Sequence, residues 1–211
     1  MRTQEEGLEM AYVIAALLGY LFGCSHMALY LSKLSGVDLR SNGTGNLGAS
    51  NAMVLLGWRA GVLTALHDIA KGSLAVMAAR WLFPEAPLVG FVAGSAAVLG
   101  HMFPFYLRFR GGKGFAAYVG MTLVLHWQFT LCIVVVAILL TLVTDYIVTA
   151  TITTVVAFPI FAAFVYGWGA MLIVCVPSLA MIFKHRENFR RIREGTEVGF
   201  RRAKSGKMRM K

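Results

Sequence analysis

Three polar stretches interrupt an otherwise apolar chain, and each carries residues suited to holding phosphate. The first runs Ser41-Asn42-Gly43-Thr44-Gly45-Asn46-Leu47-Gly48-Ala49-Ser50-Asn51. Its glycines and small hydroxyl and amide residues leave backbone N–H groups free to converge. A loop of this kind opening into a helix makes an anion-binding nest, although a flexible linker has the same composition. The second runs from Gly100-His101 to Arg110-Gly111-Gly112-Lys113-Gly114. Here Arg110 and Lys113 flank a glycine pair, so two cations and several N–H groups can meet one anion. The stretch lacks the GxxxxGK[ST] spacing of a P-loop, which leaves ATP unsupported. Alone it also reads as a positively charged turn. His101 lies where an apolar run meets this loop and suits phosphate donation or proton handling. The third stretch is Lys184-His185-Arg186-Glu187-Asn188-Phe189-Arg190-Arg191. On a helix, His185 and Asn188 share a face; alone, the segment equally reads as a solvated basic end.

Two further charges, Asp68 and Lys71, sit inside an apolar run at helical spacing. Charge at membrane depth is costly and is normally paired, so they read as an ion pair supporting the site. Cys24, Cys132 and Cys175 form no CxxC pair, and neither zinc nor a disulfide is indicated. No Ser-His-Asp or Cys-His set stands out, so no covalent nucleophile is indicated.

The elements that must position these residues are membrane spans. Of 211 residues, 58% are hydrophobic and 14% charged, well outside the range of soluble domains. No Asp, Glu, Lys or Arg occurs from Met10 to Leu31, Gly114 to Val143, or Tyr146 to Phe183. A helix needs about 20 apolar residues to cross roughly 30 Å of hydrocarbon. The acidic Glu5, Glu6 and Glu9 argue against a signal peptide. Eleven of the twenty Lys and Arg lie from Lys184 onward, and others cluster at Arg108 to Lys113 and Lys33 to Arg59. The positive-inside rule puts these segments in the cytoplasm, the N-terminus outside, and the Pro84–Pro87 turn outside. Breaks at His126-Trp127-Gln128, Asp145 and Gly167-Trp168-Gly169 then divide the last long apolar stretch into four spans. The expected architecture is an all-α integral membrane protein with seven transmembrane helices and a cytoplasmic C-terminus. It has one domain over residues 1–194 and a basic, disordered tail over 195–211. The tail suits anionic lipid rather than nucleic acid.

Taken together, the three stretches resemble the acyl-phosphate-dependent glycerol-3-phosphate acyltransferase family of bacteria (PlsY). That family carries GSGNxGATN-like, GHxxPxxxxFKGGKG-like and HRxN-like motifs, read here as GTGNLGASN at 43–51, GHMFPFYLRFRGGKG at 100–114 and HRENFRR at 185–191. The resemblance implies a multi-pass enzyme of the bacterial inner membrane with its active site facing the cytoplasm. It implies transfer of a fatty acyl group from acyl phosphate to glycerol 3-phosphate, giving lysophosphatidic acid without a cofactor. The catalytic set is then His101, Lys113, His185 and Asn188. Gly43, Thr44, Gly45, Asn46, Gly48, Asn51, Arg110, Gly111, Gly112, Gly114 and Arg186 bind phosphate, with Asp68 and Lys71 in support. Acyl phosphate already carries a good leaving group, so positioning and hydrogen-bond donors suffice. The deprotonating base is His101 or a substrate phosphate oxygen.

The chain also departs from the family pattern. Thr44 replaces Ser and Arg110 replaces Lys, keeping hydroxyl and charge. Val54 stands where the family has Arg, and Asp145-Tyr146-Ile147-Val148 where it has Arg-Tyr-x-Ser. Asp145 would repel a phosphorylated substrate unless a nearby cation pairs with it. These changes raise a paralogue with an altered acceptor or weak activity as the alternative. A carrier for a phosphorylated solute is disfavoured, because no two halves of the chain resemble each other. Acyl-chain preference and oligomeric state are not encoded legibly.

Overall fold

The computed structural model describes residues 2–197 and 199–201, and among them the ordered elements are helical, with no strand. They are α1 (Arg2–Gly23), α2 (Met27–Ser35), α3 (Ala49–Leu56), α4 (Trp58–Leu82), α5 (Val89–Met102), α6 (Phe115–Leu125), α7 (Trp127–Thr144), α8 (Ile147–Tyr166), α9 (Trp168–Lys184) and α10 (Arg186–Arg193). Six helical stretches are long and apolar enough to cross a membrane, the first formed by α1 and α2 together; α6 is a shorter apolar helix. Of the tail expected from residue 195, residues 202–211 lie outside the described residues.

Small residues set the packing. Without a hydrophobic force between helices in lipid, close backbone approach carries the association. A Cβ added at Gly19 would lie 2.1 Å from the Ala93 carbonyl oxygen, and one at Gly23 2.0 Å from that of Ala97. Gly100 meets Tyr20 in the same way, so α1 and α5 touch along their backbones. Gly72 and Gly120 do the same for α4 and α6. Tyr118, Phe158, Met121 and Met181 fill the centre, all fully buried. Large apolar residues such as Phe164, Val143 and Leu17 remain exposed around the bundle, as a lipid-facing surface requires.

The breaks within the last apolar stretch fall at the expected residues. His126 caps α7 by accepting from the Phe129 N–H at 3.1 Å. Asp145 ends α7 in the left-handed region at φ 67°, and Gly167 separates α8 from α9 at φ 85°. Two features shape the site's end of the bundle. The first apolar run bends at Cys24–His26 instead of continuing as one helix. The second is the shortness of α6, whose 11 residues rise only about 16 Å at roughly 1.5 Å each. The missing turns are replaced by the glycine loop, which folds back into the bundle beside the end of α5. Gly111 N–H donates to the Met102 carbonyl at 3.1 Å, and Gly112 N–H to that of His101 at 3.0 Å.

Candidate active site

The loop between α2 and α3 is folded by its own side chains. Leu39 and Leu47 are buried anchors. Gly43 and Gly45 both take positive φ, at 62° and 66°, which an L side chain tolerates poorly. Asn51 clasps the loop: its Oδ1 accepts from the Thr44 N–H at 2.9 Å and its Nδ2 donates to the Leu39 carbonyl at 2.8 Å. The amide named from the sequence as a phosphate ligand is thus engaged in shaping the nest. Thr44, Gly45 and Asn46 face a cavity, while Gly48 caps α3.

The loop after α5 is pinned to α1. Tyr20 Oη donates to the Phe103 carbonyl at 2.7 Å and Tyr106 Oη to that of Cys24 at 2.5 Å. Arg108 and Phe109 take left-handed conformations, turning the chain so that Arg110 faces the cavity. Gly111 and Gly112 allow the return path. A Cβ on Gly111 would sit 2.1 Å from the His101 oxygen, and one on Gly112 1.9 Å from His101 Nε2. The lysine that follows them is thereby brought beside the imidazole.

His101 is held from beneath by a buried charge cluster. Lys71 Nζ lies 2.8 Å from Asp68 Oδ1, 2.7 Å from His101 Nδ1 and 2.6 Å from the Ser25 carbonyl. These three acceptors use all three ammonium hydrogens. Asp68 Oδ1 also lies 3.4 Å from His101 Nδ1; with Lys71 as the ammonium donor, a neutral His101 accepts at Nδ1 and carries its proton on Nε2, the atom that faces Gly112. Its backbone carbonyl is held by His26 Nε2 at 3.0 Å, and His26 stacks on its ring. Asp68, Lys71 and His101 are all buried, and such a cluster persists only when fully paired. His26 and Ser25 were missed from the sequence because they lie within an uncharged run.

Lys113 belongs to the outer part of the site. Its Nζ donates to Asn188 Oδ1 on α10. Burial pushes its ammonium down to about 8, with Arg191 adding repulsion and Glu197 opposing it. His185, at the junction of α9 and α10, is fixed through Nδ1 to the Met181 carbonyl at 2.8 Å. Lys184 donates to the Met102 carbonyl at 3.0 Å, joining α9 to the end of α5.

Four cavities meet here. The widest, about 930 Å³, is lined by Arg40, Thr44, Asn46, Arg110, Lys113 and Arg191, among others. An inner one of about 110 Å³ has Asn46, Gly48, Asp68, His101, Lys113, Gly114 and His185 in its wall. A third, about 120 Å³, lies between Lys113, His185 and Asn188 and includes Val54 and Val148. The fourth is an apolar groove of about 430 Å³ beside α6 and α7. It shares Ala49, Ser50, Phe115, Ala116 and Ile147 with the inner cavity. The structure therefore brings together His101, Lys113, His185, Asn188, Arg110 and the 44–48 loop. Arg186 is not among them; its guanidinium lies 4.0 Å over the Phe183 ring. Asp145 lines none of these four cavities, so the expected repulsion is not direct. Lys33, Arg40, Lys184 and Arg191 add cationic lining that the motifs did not single out.

The all-helical membrane bundle thus sets a polar, cationic cavity beside an apolar groove. Residues 13–195 match the family described as Glycerol-3-phosphate acyltransferase, and the chain belongs to that family. "Glycerol-3-phosphate acyltransferase 1" of Oceanobacillus iheyensis is 36% identical over 190 residues, covering 87% of this chain and 92% of that protein. The Geotalea daltonii "Glycerol-3-phosphate acyltransferase" is 37% identical over 196 residues, 92% and 98% of the two chains. Among solved structures, the glycerol 3-phosphate form of PlsY (YgiH), an integral membrane glycerol 3-phosphate acyltransferase, matches with TM-score 0.81 and 32% identity over 90% of this chain and 95% of that one. Its lysophosphatidic acid form gives 0.79 and 30%, over 91% and 97%.

Proposed function

We propose that this protein moves a fatty acyl group from acyl phosphate to the 1-hydroxyl of glycerol 3-phosphate. The products are lysophosphatidic acid and inorganic phosphate, at the entry to phospholipid synthesis. The observation that carries this reading is the wall shared by the apolar groove and the inner cavity. An acyl chain lying in the groove would deliver its carbonyl to His101 and Lys113. The cationic cavity alongside accommodates phosphate on either substrate.

The acceptor oxygen bonds to the carbonyl carbon while the bond from that carbon to the phosphate oxygen breaks, and phosphate leaves with the electron pair. Donors aimed at the developing oxyanion contribute most in such a step. His101 Nε2–H and the Lys113 ammonium fill that role. Because Lys71 occupies His101 Nδ1, the imidazole is a donor, and the acceptor's proton passes to a phosphate oxygen. Asn188 and His185 complete the pocket wall, and Gly43 to Gly48 with Gly111 to Gly114 give the loops their course.

The membrane arrangement in this reading has seven spans, α6 being the short one, with the N-terminus outside. The Pro84–Pro87 turn, Trp127 and Trp168 lie at one end of the bundle, and the Arg- and Lys-rich loops at the other. In this reading the protein lies in the bacterial inner membrane, and the Arg- and Lys-rich loops at the site's end of the bundle put the site on the cytoplasmic face. The basic tail would lie on anionic lipid, and no cofactor takes part. A second reading, an altered acceptor or weak activity, is favoured by one observation: Val54 and Val148, the apolar replacements, both line the 120 Å³ cavity.

Purified protein supplied with acyl phosphate, acyl-coenzyme A or acyl carrier protein, and with glycerol 3-phosphate, glycerol 1-phosphate or a polyol phosphate, tests both readings. Lysophosphatidic acid formed only from acyl phosphate and glycerol 3-phosphate supports the first. Turnover of another acceptor in its place supports the second.

A further inference from the structure

The chain continues past the family match, which ends at residue 195, and its next described residues return to the site. The Glu197 carboxylate accepts from Arg191 Nε at 2.6 Å and from Asn188 Nδ2. Asn188 in turn takes the Lys113 ammonium, so one carboxylate sits among the groups that face phosphate in the proposed reaction. Phe200 lines both the 120 Å³ cavity and the apolar groove. An anionic group and an apolar ring from the same segment thus engage the polar and the apolar compartments together.

Asp145 anchors this segment. Its carbonyl accepts from the Phe200 N–H at 2.7 Å, and its carboxylate from the Arg201 N–H at 2.9 Å. Arg201 also reaches the Leu142 carbonyl at 2.7 Å. Gly199 packs so closely that a Cβ there would lie 1.9 Å from Asp145 Oδ2. The acidic replacement that the motif comparison marks as a liability for phosphate therefore has a local use: it grips the backbone beyond the family match.

We propose that Glu197 and Phe200 act as an internal competitor for substrate, the carboxylate standing in a phosphate position and the ring in the acyl groove. This rests on the acyl-transfer reading for the site it blocks. A ligand that binds only the open state has its apparent affinity reduced by the open fraction. A phosphate dianion displaces the single negative charge of Glu197, and either substrate can supply it. The Michaelis constants for the two substrates distinguish the sources.

The test uses full-length protein in proteoliposomes. Gly199→Ala forces Asp145 and the tail apart without touching a substrate-facing group, and Glu197→Ala removes the competing charge. Both variants lower KM for glycerol 3-phosphate, for acyl phosphate, or for both, by about fivefold or more, and G199A leaves kcat unchanged. In the wild-type protein, saturating inorganic phosphate speeds hydrogen exchange at the Phe200 and Arg201 amides. Unchanged KM values in both variants, or a fall in kcat with G199A, overturn the proposal, as does phosphate-insensitive exchange. Wild-type protein that releases these amides on phosphate yet makes no lysophosphatidic acid would refute the transfer reading alone.

Discussion

Around His101 the partners come from the bundle itself: the buried Asp68 and Lys71 of α4, with Ser25 and the buried His26 from the bend after α1. Around Lys113 they come from loops, the start of α10 and a segment past the family match. The inner cluster fixes one proton arrangement and has little freedom to vary. The outer one is assembled from separate pieces, and it is there that Val54, Val148 and Glu197 depart from, or add to, the family pattern. In the proposed reaction the inner cluster orients His101, while the outer one supplies the Lys113 donor and meets the phosphorylated partner.

The contrast breaks most visibly at Lys71. Lys71→Met leaves the Asp68 carboxylate buried without its ammonium, and removal of one partner from such a pair costs about 3–5 kcal/mol. Denaturant titration of the micelle-bound protein should register that loss, and the double replacement Asp68→Leu with Lys71→Met should recover most of it. An unchanged midpoint for the single variant would mean that the inner cluster is not held by charge pairing.

Lys113 gives the next largest effect, on activity and not on folding. K113A should lower kcat/KM about 10²–10³-fold, as loss of one oxyanion donor does. Burial lowers this ammonium to about 8, so it is cationic below that pH and neutral above. Wild-type kcat/KM should therefore fall as pH rises through about 8. An arginine keeps its charge over that range, so K113R should lose the alkaline limb. An identical limb in K113R would assign it to another group.

The smallest effect belongs to Arg186, which the motif pattern groups with the phosphate ligands but whose guanidinium lies on Phe183. An exposed cation–π contact is worth about 0.5–1 kcal/mol. R186A should therefore change KM for glycerol 3-phosphate less than about threefold, and a tenfold rise would return Arg186 to the outer cluster.

What the sequence made legible follows the same division. The breaks at His126, Asp145 and Gly167 were readable because each places a polar residue or glycine inside an apolar run, and local composition decides a break. The bend at Cys24–His26 was not, since no formal charge marks it and its polar atoms find partners 75 and 46 residues away. Residue counting makes α6 one of four short spans. It could not show that the glycine loop replaces its first turns, because that depends on contact with the end of α5. His101, Lys113, His185 and Asn188 were identified through motif resemblance, and their convergence depends on tertiary packing. Asn51 shows the limit of motif reading: a residue can belong to a substrate loop by shaping it. Glu197 and Phe200 lie outside the motifs, and only the fold brings them to the site.

The central claim is acyl transfer at the junction of His101, Lys113 and the apolar groove. The most direct measurement is labelled lysophosphatidic acid formed from acyl phosphate and glycerol 3-phosphate by wild-type, His101→Ala and Lys113→Ala proteins of matched fold in reconstituted membranes. The account predicts robust formation by the wild type and a loss of about 10²-fold or more in both variants; full activity in both would contradict it.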